Sequence, residues 1–304
     1  MKRHGCLLLF LVSAIFISSC NRFSKRGLPF GSVKGIHFTE VRRAFSNGLV
    51  FDKQGYQLEP GWKLYFISDD SAQVFSPKMQ RYYGFHVYFD HDSIFNVADS
   101  WLKLRRISSD SLVFQAQRVE NRLILDEDEG SNVFMTFYSD DYIRRKGTDK
   151  VARMGVPSRN DTLFIQKRSA LANKIMDSAF SARVPAELKS NSPLVDVEKV
   201  KGESTPLNKV DPSVNYMYPE FNITIHKAYE EFEYSFSVFV DNKGGLHFGR
   251  TDIPYSGEFR KTYENVMKGI IDGYLKRYVD VTPGTTLGIA HASYIYLDVR
   301  GLKN

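Results

Sequence analysis

Cysteine is almost absent: the 304-residue chain has two, Cys6 and Cys20, both near its start. From residue 21 onward there is no thiol, which excludes a disulfide framework, a Cys-x-x-Cys metal site and a cysteine nucleophile from the body of the protein. Long apolar runs are equally scarce. The one that stands out, at 6–17, is well short of the roughly 20 residues a helix needs to cross hydrocarbon. Also missing are Gly-x-Ser-x-Gly for a nucleophile elbow, the phosphate loop ending in Gly-Lys-Ser/Thr, and His-Glu-x-x-His for zinc. An enzyme with this sequence would have to assemble its site from distant residues, and no cofactor is expected. Neither sign of charge dominates, since 41 Lys and Arg against 35 Asp and Glu leave +6. A nucleic-acid partner would want a denser basic face than that.

What is present begins at the N-terminus. Met1, Lys2, Arg3 and His4 form a short positive segment, the apolar run follows, and Ile17-Ser18-Ser19-Cys20 ends it. Polar residues come at once: Asn21, Arg22, Ser24, Lys25 and Arg26. That order is the layout of a signal peptide. Small residues set directly before a cysteine resemble the lipobox of bacterial lipoproteins. The resemblance implies that 1–19 is a signal peptide cut before Cys20 and that the Cys20 thiol carries a diacylglycerol. It also implies an acylated new amino group and a lipidated tether over 20–30. Two acyl chains, at about 0.8 kcal/mol per buried methylene, would make release from the membrane very slow. By the family's sorting rule Asn21, in place of an aspartate, implies the outer membrane. The basic residues after it, in place of an acidic cluster, imply the periplasmic face. Arg22, Lys25 and Arg26 would sit where anionic head groups attract them.

The rest of the chain is 42% hydrophobic and 14% aromatic counted with its leader, the composition of a folded protein. Short strands are expected at 62–68, 82–89, 94–97, 101–107, 112–117, 122–125 and 132–138, with turn signals every 8 to 12 residues or so. They predict an antiparallel β meander closing as a barrel or folding as a sandwich. A helix is expected at 169–182, with Leu171, Ile175, Met176 and Ala179 on one face. Pro185, Pro193, Pro206 and Pro212 then punctuate polar sequence. The expected organisation is a β-rich domain with a terminal helix at 31–182, a linker at 183–212 and an α+β domain at 213–304.

In that last domain strands are predicted at 221–226, 232–240, from 246, and at 292–299, with Asp241-Asn242-Lys243-Gly244-Gly245 as a hairpin turn. Between them 258–278 reads as an amphipathic helix whose apolar face carries Phe259, Tyr263, Val266, Met267, Ile270, Ile271, Tyr274, Leu275 and Tyr278. The fold class is α+β, with a C-terminal helix on an antiparallel sheet. Gly269 and Gly273, four apart, predict close packing of that helix on its own sheet. Val240-Asp241-Asn242-Lys243-Gly244-Gly245, the helix, Pro283-Gly284 and Gly288 before a last strand resemble the C-terminal domain of the TonB energy-transducing family. The resemblance covers about a quarter of the chain and implies a small partner-binding sheet.

Candidate chemistry is sparse. His86, Asp90 and Asp92 would share a face of a continuing strand, and imidazole with carboxylate can ligate a divalent metal; Asp90 to Ser93 reads equally as a turn. Asp126-Glu127-Asp128-Glu129-Gly130 invites calcium, but a loop begun at Asp126 has Phe137 where its bidentate glutamate belongs. Asp before Ser or Thr and a small or aliphatic residue recurs at Ser71, Ser93, Ser111, Thr162 and Ser178. That pattern is turn chemistry, and it also resembles an O-glycosylation sequon of some Gram-negative envelope proteins. Tyr82, Tyr83, Phe85, Tyr88 and Phe89 would either line a ligand cavity or simply pack. The expected function is a membrane-anchored envelope lipoprotein, non-catalytic, that binds an envelope protein partner or an apolar ligand. The alternative is an envelope hydrolase with its carboxylate and histidine site near His86 to Asp92.

Overall fold

Two-residue alternation builds most of the chain into strands. The computed structural model describes residues 29–121, 123–125, 131–201, 213–251 and 257–303, and these divide into two compact units. One takes the described residues of Met1–Val41 and Gly61–Val151, the other those of Arg42–Pro60 and Ala152–Asn304.

The first unit opens with a 3-10 turn at Pro29–Val33. Its strands are β1 (Phe38–Phe45, continuing into the second unit), β2 (Lys63–Ser68), β3 (Ser71–Ser76), β4 (Arg81–His86), β5 (Tyr88–Phe89), β6 (Ile94–Val97), β7 (Ser100–Ile107) and β8 (Ser111–Ala116). A small hairpin, β9 (Val119–Glu120) and β10 (Leu123–Ile124), precedes β11 (Val133–Ser139) and two short helices, α1 (Asp140–Lys146) and α2 (Thr148–Ala152). Nine of these strands form one nearly closed antiparallel sheet in the order β4-β3-β2-β1-β11-β8-β7-β6-β5. Its two end strands are separated in sequence by Val87 alone, which is buried and donates its N–H to the Asp70 carbonyl. One segment thus stands at both ends of the sheet, which is how a meander removes its open edges. Ala98 and Asp99, both with positive φ, make the two-residue turn between β6 and β7.

The interior of this sheet is filled with aromatic rings. Phe30, fully buried, stacks on Phe66 with centroids 3.8 Å apart and meets Phe95 edge-on at 5.1 Å. Phe114 and Phe137 continue the cluster at 5.3 Å. The 3-10 turn therefore plugs the sheet with a phenylalanine. Of the aromatics expected to line a cavity, Tyr88 and Phe89 point out, 60% and 47% exposed.

The second unit carries α3 (Arg159–Lys174), β12 (Glu187–Ser190), β13 (Val195–Lys199), α4 (Val214–Met217), β14 (Glu220–Ile225), β15 (Phe232–Val240) and β16 (Leu246–Thr251). After α5 (Gly257–Ile270) a π-helical turn, Ile271–Leu275, leads into α6 (Lys276–Tyr278). The unit ends with β17 (Val279–Thr282), β18 (Thr285–Thr286), β19 (Ile289–Ala290) and β20 (Ser293–Gly301). Five strands form the main sheet in the order β13-β14-β20-β15-β16, antiparallel except for the parallel pair β14–β20. Met267, Ile270, Ile271 and Leu275 of the long helix pack with Ile223, Phe236, Val238 and Leu297 of the sheet. Fully burying one such side chain stabilises by about 1.5 to 3 kcal/mol, which holds the helix on this face.

Several expectations are corrected here. The region expected as linker contains β12, paired with β17, and β13, paired with β14, so only its later part, outside the described residues, is left unassigned. The expected helix at 169–182 starts ten residues earlier and ends at Lys174. Ser158 caps it, accepting from the Asp161 N–H while the Asp161 carboxylate accepts from the Ser158 N–H at 2.7 Å. Asp161-Thr162-Leu163 is thus a helix start rather than a turn before a strand, and the helix belongs to the second unit. Leu171 and Ile175 are exposed; the buried face is Asp161, Ile165, Ser169 and Ala172. On the C-terminal helix Phe259 is exposed as well. Gly269 and Gly273 face solvent with open space around them rather than packing on the sheet.

Candidate functional site

The expected polar cluster does not converge. Asp90, His91 and Asp92 lie exposed on the turn between β5 and β6, where Asp90 N–H bonds to the Ile94 carbonyl and Asp92 takes a positive φ. His91 pairs with Asp90 beside it, while the exposed His86 lies edge-on to the Tyr88 ring at 4.3 Å. Among the described residues no group of three His, Cys, Asp or Glu side chains is placed to hold a metal ion. Cys20 and the acidic run 126–130 lie outside the described residues.

The five hydroxyls of the Asp-Ser/Thr pattern are all half-buried, in different settings. Ser71 opens β3 beside Asp70, whose carboxyl is held below its ordinary range chiefly by the Ser68 hydroxyl. Ser93 ends the turn before β6, and Ser111 opens β8 bonded to Ser108. Thr162 donates to the Ser158 carbonyl within α3, and Ser178 lies in a 3-10 turn after it. Four of these are turn or strand-start positions, where Asp and Ser side chains bond the local backbone.

A more coherent surface lies on the main sheet of the second unit. In β20 the residues Ile295, Leu297 and Val299 face the helix and are buried. The alternate residues Tyr294, Tyr296, Asp298 and Arg300 therefore face the other way. Register extends this into rows. Glu220, Tyr296 and Ser237 lie side by side; so do Glu198, Asn222, Asp298 and Ser235; so do Asp196, Thr224, Arg300 and Glu233. These rows hold five carboxylates and one guanidinium. Ser235 donates to Asp298, and Arg300 stands 3.6 Å from Glu233. A depression of about 450 Å³ opens among Glu198, Asn222, Thr224, Glu233, Asp298 and Arg300.

One end of the face is aromatic. Tyr218, 57% exposed, lies 6.4 Å from the Tyr296 ring, and Tyr294 lies 6.1 Å beyond it at 83°. The Ser181 hydroxyl, 2.9 Å from the Tyr294 oxygen, is hydrogen-bonded to it and anchors the ladder. Burial raises the Tyr294 phenol pKa, so the group stays a neutral hydroxyl. Chemically the face offers flat apolar rings next to fixed acceptors.

The signal for this face was in the sequence, in the even-numbered residues of 294–300. Its neighbours were not, because only strand order places 220–225 and 232–240 on either side of β20.

Close to this face lies a buried polar node. His291 is fully buried, its ring stacked on Phe180 at 3.8 Å and 6°. Its Nδ1 lies 3.0 Å from the Ala292 carbonyl and its Nε2 3.0 Å from the Thr286 hydroxyl. A carbonyl only accepts, so Nδ1 carries the proton and Nε2 accepts from Thr286. Burial pushes the imidazole pKa down to about 4, with the Arg168 charge adding to it and the Ala292 bond opposing. The ring is neutral at ordinary pH and serves packing.

Among the described residues no helix is long and apolar enough to cross a membrane. No family model matches the chain, and no curated protein is significantly similar to it.

Proposed function

We propose that the protein is a lipid-anchored envelope protein, held through Cys20 at the periplasmic side of the outer membrane, that binds a cationic protein partner on the open face of its C-terminal sheet. The observation that carries the binding part is that face itself: one side of the sheet is covered by the long helix, while on the other the rows across β13, β14, β20 and β15 bear five carboxylates and one guanidinium, with a tyrosine ladder at one end. Carboxylate-rich rows favour a positively charged segment and raise its encounter rate. The exposed Tyr218, with the half-buried Tyr294 and Tyr296 beside it, provides contact area at little cost in side-chain entropy. Strand order β16-β15-β20, a hairpin and a last strand joined by a helix, is in keeping with the TonB-like resemblance and with a small partner-binding sheet. The anchor part rests on the Ile17-Ser18-Ser19-Cys20 sequence.

The test is crosslinking and co-purification from intact envelopes, comparing the wild type with Glu198→Lys/Asp298→Lys. Reversing two face charges should remove the partner while the protein stays folded and in the membrane fraction; a partner retained at full yield would refute the face. Cys20→Ser should separately abolish acyl labelling and membrane retention.

A further inference from the structure

Helix α3 has a side that its own unit does not use. Asp161, Ile165, Ser169 and Ala172 are buried. At about 100° per residue, Leu163, Lys167, Ala170 and Lys174 lie opposite them, Leu171 flanks that crest, and Ile175 follows the helix as its extended C-terminal cap. Leu163, Leu171 and Ile175 are 44, 41 and 47% exposed; Leu163, Lys167 and Leu171 follow one another at steps of four along one ridge, and Ile175 comes just past its end. Single exposed apolar side chains are ordinary on any surface, but here three of them and two lysines gather along one side and the end of a single helix.

The charges on this side have one sign. Arg159, Lys167 and Lys174 are exposed, and the helix has one acid, Asp161. That carboxylate is buried, accepting from Ser158 and from the Val50 N–H at 2.7 Å. No ion pair involves the three cations among the described residues. Along the chain the next exposed carboxylate, Asp177, comes only in the following 3-10 turn.

We propose that this face of α3 lies against an anionic lipid bilayer. Leu163, Leu171 and Ile175 would enter the boundary between head groups and acyl chains, as the apolar side of an interfacial helix does. Lys167 and Lys174 would run their methylene stems along that boundary and reach lipid phosphates. The proposal rests on the anchored reading only for which bilayer is met. The face stands without the anchor and can be tested without it.

The probe is vesicle co-sedimentation of residues 20–304 carrying Cys20→Ser, so that no acyl chain contributes. Vesicles of phosphatidylethanolamine with phosphatidylglycerol should bind the protein at low salt, and vesicles of phosphatidylcholine should bind it far less. Since each lysine near an anionic surface contributes about fivefold, Lys167→Glu/Lys174→Glu should weaken binding by at least about tenfold. Leu163→Asp should weaken it too, and both variants should unfold as the wild type does because the positions are exposed. Lys189→Glu, on β12 of the same unit, should bind as the wild type. No binding by the wild type, full binding by the α3 variants, or an equal loss in Lys189→Glu would each overturn the proposal. So would a dimer in sedimentation that Leu163→Asp dissociates, since the row would then belong to a second copy. Acyl labelling of Cys20 is read independently, so failure of the anchor and failure of this face are distinguishable.

Discussion

The two sheets of this protein solve the same problem differently. In the first unit the sheet curls nearly shut, its ends joined through Val87, and its inner side is consumed by Phe30, Phe66, Phe95 and Phe114. In the second a five-stranded sheet buries one side under a helix and leaves the other to solvent. A curled sheet plugged by its own phenylalanines has its inner side filled, whereas a one-sided sheet has a second face to spare. That contrast is why we propose binding for the second unit.

The largest expected effect tests the plug. Phe30→Ala removes a ring that is fully buried and touches three others, and changes of this kind cost about 3 to 5 kcal/mol. Amide exchange in β2, β6 and β8 should speed by about two to four orders of magnitude. Protection in β20 should hold. An equal loss in β20 would mean that both cores open as one, and the contrast between the units would be one of shape only.

The second effect belongs to the open unit and depends on pH. His291 has a folded pKa of about 4 against an ordinary 6.5. Between these values the unfolded chain binds a proton that the folded chain refuses, so stability falls as pH drops from 6.5 toward 4 and is unaffected above that range. At about 1.4 kcal/mol per pKa unit the full loss is about 3 kcal/mol. Thermal melts of wild type and His291→Gln across pH 4 to 7.5 should show a steeper acid decline in the wild type. Parallel curves would show that the ring is not the group responsible.

How much of this was legible in the sequence depends on whether polar residues sit inside. Strands β15 and β20 alternate cleanly, so their existence and their buried sides could be read. Strand β1 was missed because Glu40 reads as surface, yet it is buried and accepts from the Gly61 and Trp62 N–H groups at 2.8 and 3.0 Å. Helix α3 was misplaced for the same reason: two of its four buried positions are Asp161 and Ser169, so the apolar period pointed to Leu171 and Ile175, which face out. Strand β13 was lost among prolines because it buries Val195 alone on one side. The open face was half legible, its even residues visible along β20, its rows invisible until the register joined strands far apart in the chain.

The smallest effect is the sharpest test of sidedness, because it compares adjacent residues of one strand. Val299 is fully buried against the helix, while Arg300 points to the open face and is paired loosely with an exposed Glu233. Val299→Ala should cost about 2 kcal/mol through lost burial and the space left behind. Arg300→Ala should cost no more than about 0.5 kcal/mol, since exposed ion pairs contribute little. Urea unfolding of both variants decides the point. If Arg300→Ala proved as costly as its neighbour, the outer side would be structural, and a face that the fold itself requires could not be free to exchange its contacts for those of a partner.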